Sequence, residues 1–438
     1  MGSVWRNWAG NEQASPVRVE RPADPAEAAA AVKGAVRDGL RIKAVGSGHS
    51  FTGAAVAPGV QMDMSGLSGL VSVDRGTGLV TVEAGMPLWQ LNPVLAAHGL
   101  AMENLGDIDR QTISGAISTG THGSGLRYGG IATQVRGLEM VLADGSLVTC
   151  SATERADLFA AARVGIGALG ILTKVTLQCV PSFVLHARDT GMPVAETLER
   201  MQELADENDH FEFFWFPHSD RTLTRRFRRL PGGTPLKPIG DFARRLDERV
   251  SGTGFEALNR IGTRLPALIP GITRFAARAM SAREWTDLSH RVFASVRDVR
   301  FLEGEFAIPR ERAQEALREI KRWIDANDER VSFPLEVRFA PADDVWLSTA
   351  HERESCYIAF HQYHRMPHER YFRACEDILG SFGGRPHWGK MHTLGAEQLR
   401  PRYARFDDFV ALRDRVDPAG VFGNAYLDRV LGAAPEAG

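Results

Sequence analysis

The sequence predicts a mixed chain of class α+β, folded as more than one unit. Three observations point there. Short strands and helices alternate through the first 181 residues. Beyond Pro181 the pattern changes to an apolar strand, an arginine run and amphipathic helices. Glycine, 44 of 438 residues, gathers at the ends of strands. At ~150 residues per domain the length corresponds to about three units, ample for a buried core without disulfide support. The expected division is 1–181, 182–395 and 396–438, with the last segment packing back on the first.

Asp24-Pro25-Ala26-Glu27 opens the first helix: Asp24 can cap, Pro25 suits the first turn and Glu27 can reach back. This alanine-rich helix stops near Gly39, and a strand over 41–45 runs into Gly46-Ser47-Gly48-His49-Ser50. Strands are expected at 61–64, 70–74 and 79–83, the last two joined by Arg75-Gly76-Thr77-Gly78, a hairpin signal. Residues 87–98 read as a helix, 138–142 and 147–150 as a hairpin across Asp144-Gly145, and 175–180 as a strand. Further on, 211–216 (FEFFWF) is a strand, 231–240 a loop, 244–300 a mostly helical basic stretch and 310–326 an amphipathic helix. Strands return at 332–340 and 356–363, and a helix covers 368–379. The end is expected to be helical from 396 to Asp417-Pro418, with a strand-like tail.

Composition excludes several classes. Hydrophobic residues at 44% and charged residues at 24% rule out a disordered chain. A net charge of -2 gives no field for a polyanion, so nucleic acid is not an expected partner. The four cysteines form no Cys-x-x-Cys pair, which fits a reducing cytoplasm better than a zinc site or a disulfide scaffold. Residues 1–13 lack the apolar core of a signal peptide, and the stretch 164–172 is too short and glycine-rich to span a bilayer. A soluble cytoplasmic protein without membrane association is therefore expected.

Three glycine clusters carry the first chemical signal. In Gly46-Ser47-Gly48-His49-Ser50-Phe51, glycines let backbone N–H groups turn toward an anion while Ser47 and Ser50 add donors. A plain turn would explain the glycines equally well, and the third glycine of a Rossmann fingerprint is missing. The segment 112–125 (TISGAISTGTHGSG) is stronger. Gly115, Gly120, Gly123 and Gly125 would weaken any strand or helix. Backbone pressed against a flat ring or a diphosphate would need them; so would tight packing. Gly165-Ile166-Gly167-Ala168-Leu169-Gly170 is the third. Downstream, the alternation in 332–340 (SFPLEVRFA) puts Glu336 and Arg338 on one strand face, an arrangement that an ordinary solvated face also shows. His387-Trp388-Gly389-Lys390 combines proton carriers with a stacking ring. His361, His364 and His368 lack the partners of a metal site, and Arg225 to Arg229 reads as a solvated face or a salt-bridge partner.

The order of these motifs resembles the aldonolactone oxidoreductases of the vanillyl-alcohol-oxidase superfamily. That family includes gulonolactone and D-arabinono-1,4-lactone oxidases or dehydrogenases and alditol oxidases. The likeness runs from about Trp5 to the end. It implies a two-domain fold: a PCMH-like FAD-binding domain completed by the C-terminal segment, and a cap whose antiparallel sheet lies over the flavin. It also implies an 8α-histidyl link from His49 to FAD. Gly46, Ser47, Gly48, His49 and Ser50 would line the cofactor, with Thr112, Gly115, Ser118, Thr119, Gly120, Thr121, His122 and Gly123, and with Gly170 and Ile171 nearby. Glu336, Arg338, Lys390 and His387 match the active-site positions, and Gln362 is a further candidate substrate contact.

The implied reaction takes a hydride from a secondary alcohol of a sugar-acid 1,4-lactone to flavin N5. Arg338 would meet the developing charge, while Glu336 would grip substrate hydroxyls and orient Arg338. Lys390 has two readings: a base with a pKa lowered from ~10.4 to about 7–8, or a fixed cation with His387 nearer the proton. Alditol oxidation shares every motif and stays open, as does a flavin carrier without turnover. The electron acceptor is oxygen, which a small residue such as Gly120 would admit, or an artificial or protein acceptor.

Overall fold

The computed structural model describes residues 4–434 except 241, 243, 244, 246–248, 280, 281, 296 and 297. Asp24 caps the first helix as its position predicts, accepting from the Glu27 N–H at 2.8 Å, while the Glu27 carboxylate takes the Ala23 N–H. That helix, Pro25–Arg37, crosses between strands of a parallel sheet in which Val60–Asp63 lies between Arg18–Glu20 and Ile42–Val45. A second sheet of five antiparallel strands follows. It contains both expected hairpins, Leu70–Asp74 with Leu79–Glu83 and Val135–Val141 with Leu147–Ser151, joined through Ile171–Gln178.

The largest sheet has eight antiparallel strands, ordered Arg283–Leu288, Phe183–Pro193, Arg221–Pro231, His210–Trp215, Leu335–Ala340, Ser355–Tyr363, Phe301–Pro309 and Arg385–Pro386. Alternation gives it two unlike faces. Phe211, Phe213, Leu335, Val337, Phe339, Leu302, Phe306 and Ile308 join one continuous core with the apolar stripes of the helices Val194–Glu207, Ala313–Ala326 and Glu369–Ser381. The opposite face carries charges and packs on the first half of the chain. Gly304 is required here: a Cβ would collide with the Phe360 ring across the strand pair.

Three expectations change. Residues 113–119 do not form an open loop. Ile113–Thr119 is a short helix, because Thr112 caps it by accepting from the Gly115 N–H at 3.2 Å and Gly120 ends it at φ 80°. Within the basic stretch 244–300, parts of which lie outside the described residues, Arg283–Leu288 is an edge strand rather than helix. The tail is the helix Ala425–Leu431, started by Asn424 capping the Leu427 N–H at 3.0 Å. The strands Phe183–Pro193 and Phe301–Pro309 and the helix Val194–Glu207 were not anticipated.

Candidate active site

The glycine loop after Ile42–Val45 and the helix Ile113–Thr119 form the walls of one cleft. Gly46, Ser47, Gly48, His49, Ser50, Thr112, Gly115, Ser118, Thr119 and Gly170 all line it. The contact between the walls is tight: a Cβ on Gly46 would collide with Thr112 Oγ1. Gly48 and Gly167, at φ 68° and 67°, hold conformations that side chains rarely adopt. Lys43, which the sequence reading passed over, is buried beside this cleft. Its Nζ donates to the Gly167 carbonyl at 2.8 Å and the Phe422 carbonyl at 3.0 Å, and burial pulls its pKa down to about 7 against the attraction of Asp417 and Asp428. Backbone donors, small hydroxyls and missing side chains fit an extended dinucleotide such as FAD. Ile171 belongs elsewhere: its side chain sits in the apolar cluster with Val32 and Ile42. Gly120, Thr121 and His122 line a separate small pocket beside Tyr357, and Gly123 is explained by close packing against the Leu105 carbonyl.

His49 stands where the cleft meets a larger cavity of about 1050 Å³. Its ring stacks on Trp8 with centroids 5.8 Å apart. Burial, together with Lys390 and Arg110, lowers its pKa to about 4, so the imidazole is neutral at ordinary pH.

The charged sheet face is ordered by strand register. Arg283, Asp189, Arg225, Glu212 and Arg338 lie side by side on five consecutive strands. Adjacent members pair at 3.0, 3.2, 3.0 and 3.2 Å, alternating in sign. Arg338 also bonds Glu336, two residues back on its own strand, and Asp107 at 3.2 Å. Burial works against its charge, but Glu336, Asp107 and Glu212 outweigh that and hold its pKa well above the usual value. The arginine run thus contributes a buried ion-pair partner in Arg225, and Arg229 stacks on Tyr128.

A second group sits beside the first. Lys390 bonds Glu303, and its ammonium lies 5.2 Å from the centre of the Phe51 ring. Burial disfavours its charge, yet Glu303 and Glu305 raise its pKa. This pairing favours the reading of Lys390 as a cation held by Glu303 over that of a general base. His361 Nε2 approaches Glu303 at 3.3 Å and His122 Nε2 approaches Glu305 at 3.1 Å. Burial holds His387 neutral, with a pKa of about 3. His122, Glu305 and His387 are close enough together to suggest a metal centre. However, the Gly389 N–H donates to His387 Nδ1 at 3.0 Å, which places the proton of the neutral ring on Nε2 and leaves that ring without a lone pair to offer.

Two sequence expectations separate here. Glu336, Arg338, Lys390 and His387 come together on this face, which packs on 119–125 through the Gly125 N–H to Phe339 carbonyl bond and on Phe51 through its N–H to the Gly389 carbonyl. Gln362 does not join them. Alternation turns it to the helix side, where it is fully buried and accepts from the Ser332 N–H at 3.2 Å. His361, one residue earlier, faces the charges. Glu303, Glu305 and Glu212 were also missed. The signal was present in FLEGEFAIP: two carboxylates on one face of an apolar strand need cations opposite them.

A glycine-lined dinucleotide cleft under a charged antiparallel sheet defines a flavoprotein oxidoreductase of the vanillyl-alcohol-oxidase type. Residues 16–151 match the FAD binding domain family. The fold is that of cholesterol oxidase from B. sterolicum, with a TM-score of 0.83 at 18% identity over 98% of this chain and 97% of that one. Residues 175–430 match the D-arabinono-1,4-lactone oxidase family. The chain is 45% identical to L-gulono-1,4-lactone dehydrogenase of Mycobacterium tuberculosis over 99% of its length and 100% of the relative. It is 36% identical to L-gulonolactone oxidase of Mus musculus, covering 98% of each. Alditol oxidase of a Streptomyces strain is 32% identical, over 98% of this chain and 100% of the relative. The chain belongs to this aldonolactone oxidoreductase family and is an FAD-dependent oxidoreductase. No helix among the described residues is long and apolar enough to cross a membrane.

Proposed function

We propose that the protein oxidises an aldono-1,4-lactone, L-gulono-1,4-lactone first among candidates, at its C2 hydroxyl, giving an ascorbate-type product after enolisation. One observation carries this beyond family membership: buried Glu336 and Arg338 and half-buried Lys390 share a face against the loops beside the cofactor cleft. FAD, when bound, supplies the hydride acceptor. Lys43, Ser47, Ser50, Thr112 and Ser118 would hold it, and His49 would be its covalent tether, a role suited to a neutral nucleophilic imidazole. Arg338 and Lys390 would meet the negative charge that gathers on the substrate oxygen as its hydroxyl proton passes to the Glu336 carboxylate, which readies the carbon to give up hydride. Because both are already ordered by carboxylates, they need little reorganisation. Glu336 fixes Arg338 and accepts hydrogen bonds from the lactone hydroxyls. His387 stays neutral and offers its Nε2 proton. We place the FAD-binding domain at 1–181 with 396–438 and the cap at 182–395. Four unpaired cysteine thiols fit a cytoplasmic setting.

Anaerobic mixing with L-gulono-1,4-lactone, with xylitol and sorbitol as comparisons, tests the substrate. Bleaching of the flavin by the lactone is expected, and bleaching by the polyols alone would replace this proposal with alditol oxidation. The tether is tested in an acid-precipitated pellet, which should stay yellow; colourless protein would remove His49 from that role.

A further inference from the structure

We infer that the cavity of about 1050 Å³ beside His49 is the docking site for the electron acceptor, and that it takes a planar quinone. This rests on the proposed oxidation, which leaves the cofactor reduced and in need of a two-electron acceptor.

The cavity is not fitted to the lactone. Its volume stands at the top of the ~300–1,000 Å³ range of drug-sized ligands, far more than a six-carbon ring requires. Glu336, Arg338 and Lys390 are absent from its walls. What it does contain is a second set of groups. Trp8 and Trp285 supply aromatic faces, and Ile108, Pro238, Ile239 and Ala294 supply apolar wall. Arg110, Arg291 and His290 supply cations or N–H donors, set among the carboxylates of Asp109, Asp287 and Asp298. Neither arginine is committed to a tight pair: Arg110 stands 3.5 Å from Asp109, and Arg291 stands 3.6 Å from Asp287. A flat conjugated ring bearing two carbonyl oxygens satisfies all of these at once: rings for stacking, donors for the oxygens, and cations for the charge that builds there on reduction.

His49 and Ser47 line both this cavity and the cofactor cleft. An acceptor seated there touches the proposed tether without crossing the substrate's charged face. The exchange balances. The quinone gains two electrons and two protons from the reduced cofactor, its two carbonyls become hydroxyls, and it leaves as the quinol while the cofactor returns to its oxidised form.

The test uses holoenzyme, 2-methyl-1,4-naphthoquinone as probe, and the variants Arg291→Gln and Trp285→Leu. Arg291 is 59% exposed in its side chain, so its replacement does not endanger folding. Calorimetric titration of the oxidised enzyme reads binding with no turnover. Saturable binding is expected, weakened at least tenfold in either variant. Stopped flow then follows reoxidation of enzyme reduced with dithionite, so the result does not depend on the lactone. Quinone reoxidation should slow at least tenfold in both variants while reoxidation by air is unchanged. Absence of saturable binding, or quinone reoxidation equal to wild type in both variants, overturns the assignment. Failure of the lactone to bleach the flavin would count against the proposed substrate alone.

Discussion

The cofactor cleft and the charged sheet face meet at the same site but are built by opposite means. The cleft works by omission: at Gly46, Gly48, Gly115 and Gly170 a Cβ would meet Thr112, Trp5, Thr112 and Met140, so the missing side chains let its walls close up. The sheet face works by accumulation. Five buried carboxylates, Asp189, Glu212, Glu303, Glu305 and Glu336, from segments over 100 residues apart, are neutralised by buried Arg338, half-buried Arg225 and Lys390, and Arg283 at the sheet edge. A recess of the first kind can be written in one short stretch of sequence; a charge grid of the second kind exists only once the strands are in register.

The largest effect that would sharpen this contrast is expected at Arg338. Replacing it by methionine should lower kcat/KM for the lactone about 10²–10³-fold while flavin content is retained. Equal losses of flavin and turnover would mean that the two regions are not separable. Next is Asp189, 1% exposed and remote from the substrate. Asp189→Ala removes the buried carboxylate shared by Arg225 and Arg283 and should cost about 1–3 kcal/mol in urea unfolding. Unchanged stability would show that the row is not a connected unit. Gly46→Ala brings a methyl against Thr112 Oγ1 and should cost about 1–3 kcal/mol together with a lowered flavin-to-protein ratio. Full flavin loading would break the account of the cleft.

A smaller effect is expected from acid. Burial alone would raise the Glu303 pKa, but Lys390 and His361 bring it from 4.5 down to about 2. A carboxylate depressed in the fold stabilises it fully above its unfolded pKa, and this contribution is lost as pH falls from about 4.5 toward 2. Thermal midpoints should therefore fall more steeply over that window in wild type than in Glu303→Gln; parallel slopes would argue against the pair. The smallest effect on catalysis is expected at Gln362. Gln362→Met should leave KM for the lactone within twofold, although stability drops with the lost Ser332 bonds.

How much of this the sequence revealed follows the same divide. The cleft was legible because glycine clustering is a local signal, and ten of its expected residues line it. Glu336 and Arg338 were legible as a pair because alternation holds within one strand. Their partners were not: Glu212 is set opposite Arg338, and Glu305 opposite Ala359, by pairings that no local pattern encodes. Gln362 failed for the same reason in reverse. On a strand buried on both faces, hydropathy does not say which residue turns which way, and the parity of one position decides it. The helix Ile113–Thr119 was hidden because its residues are poor helix formers, and Thr112 with close packing outweighs propensity.

The row from Arg283 to Arg338 has an arithmetic of its own. Each interior member is shared between two neighbours of opposite sign, so any lone exchange of charge sets like against like on both sides. Inverting two adjoining members only moves the clash outward to their neighbours, so the signs can be rewritten only along the whole row. Engineers wishing to retune the substrate cation should accordingly search neutral replacements first.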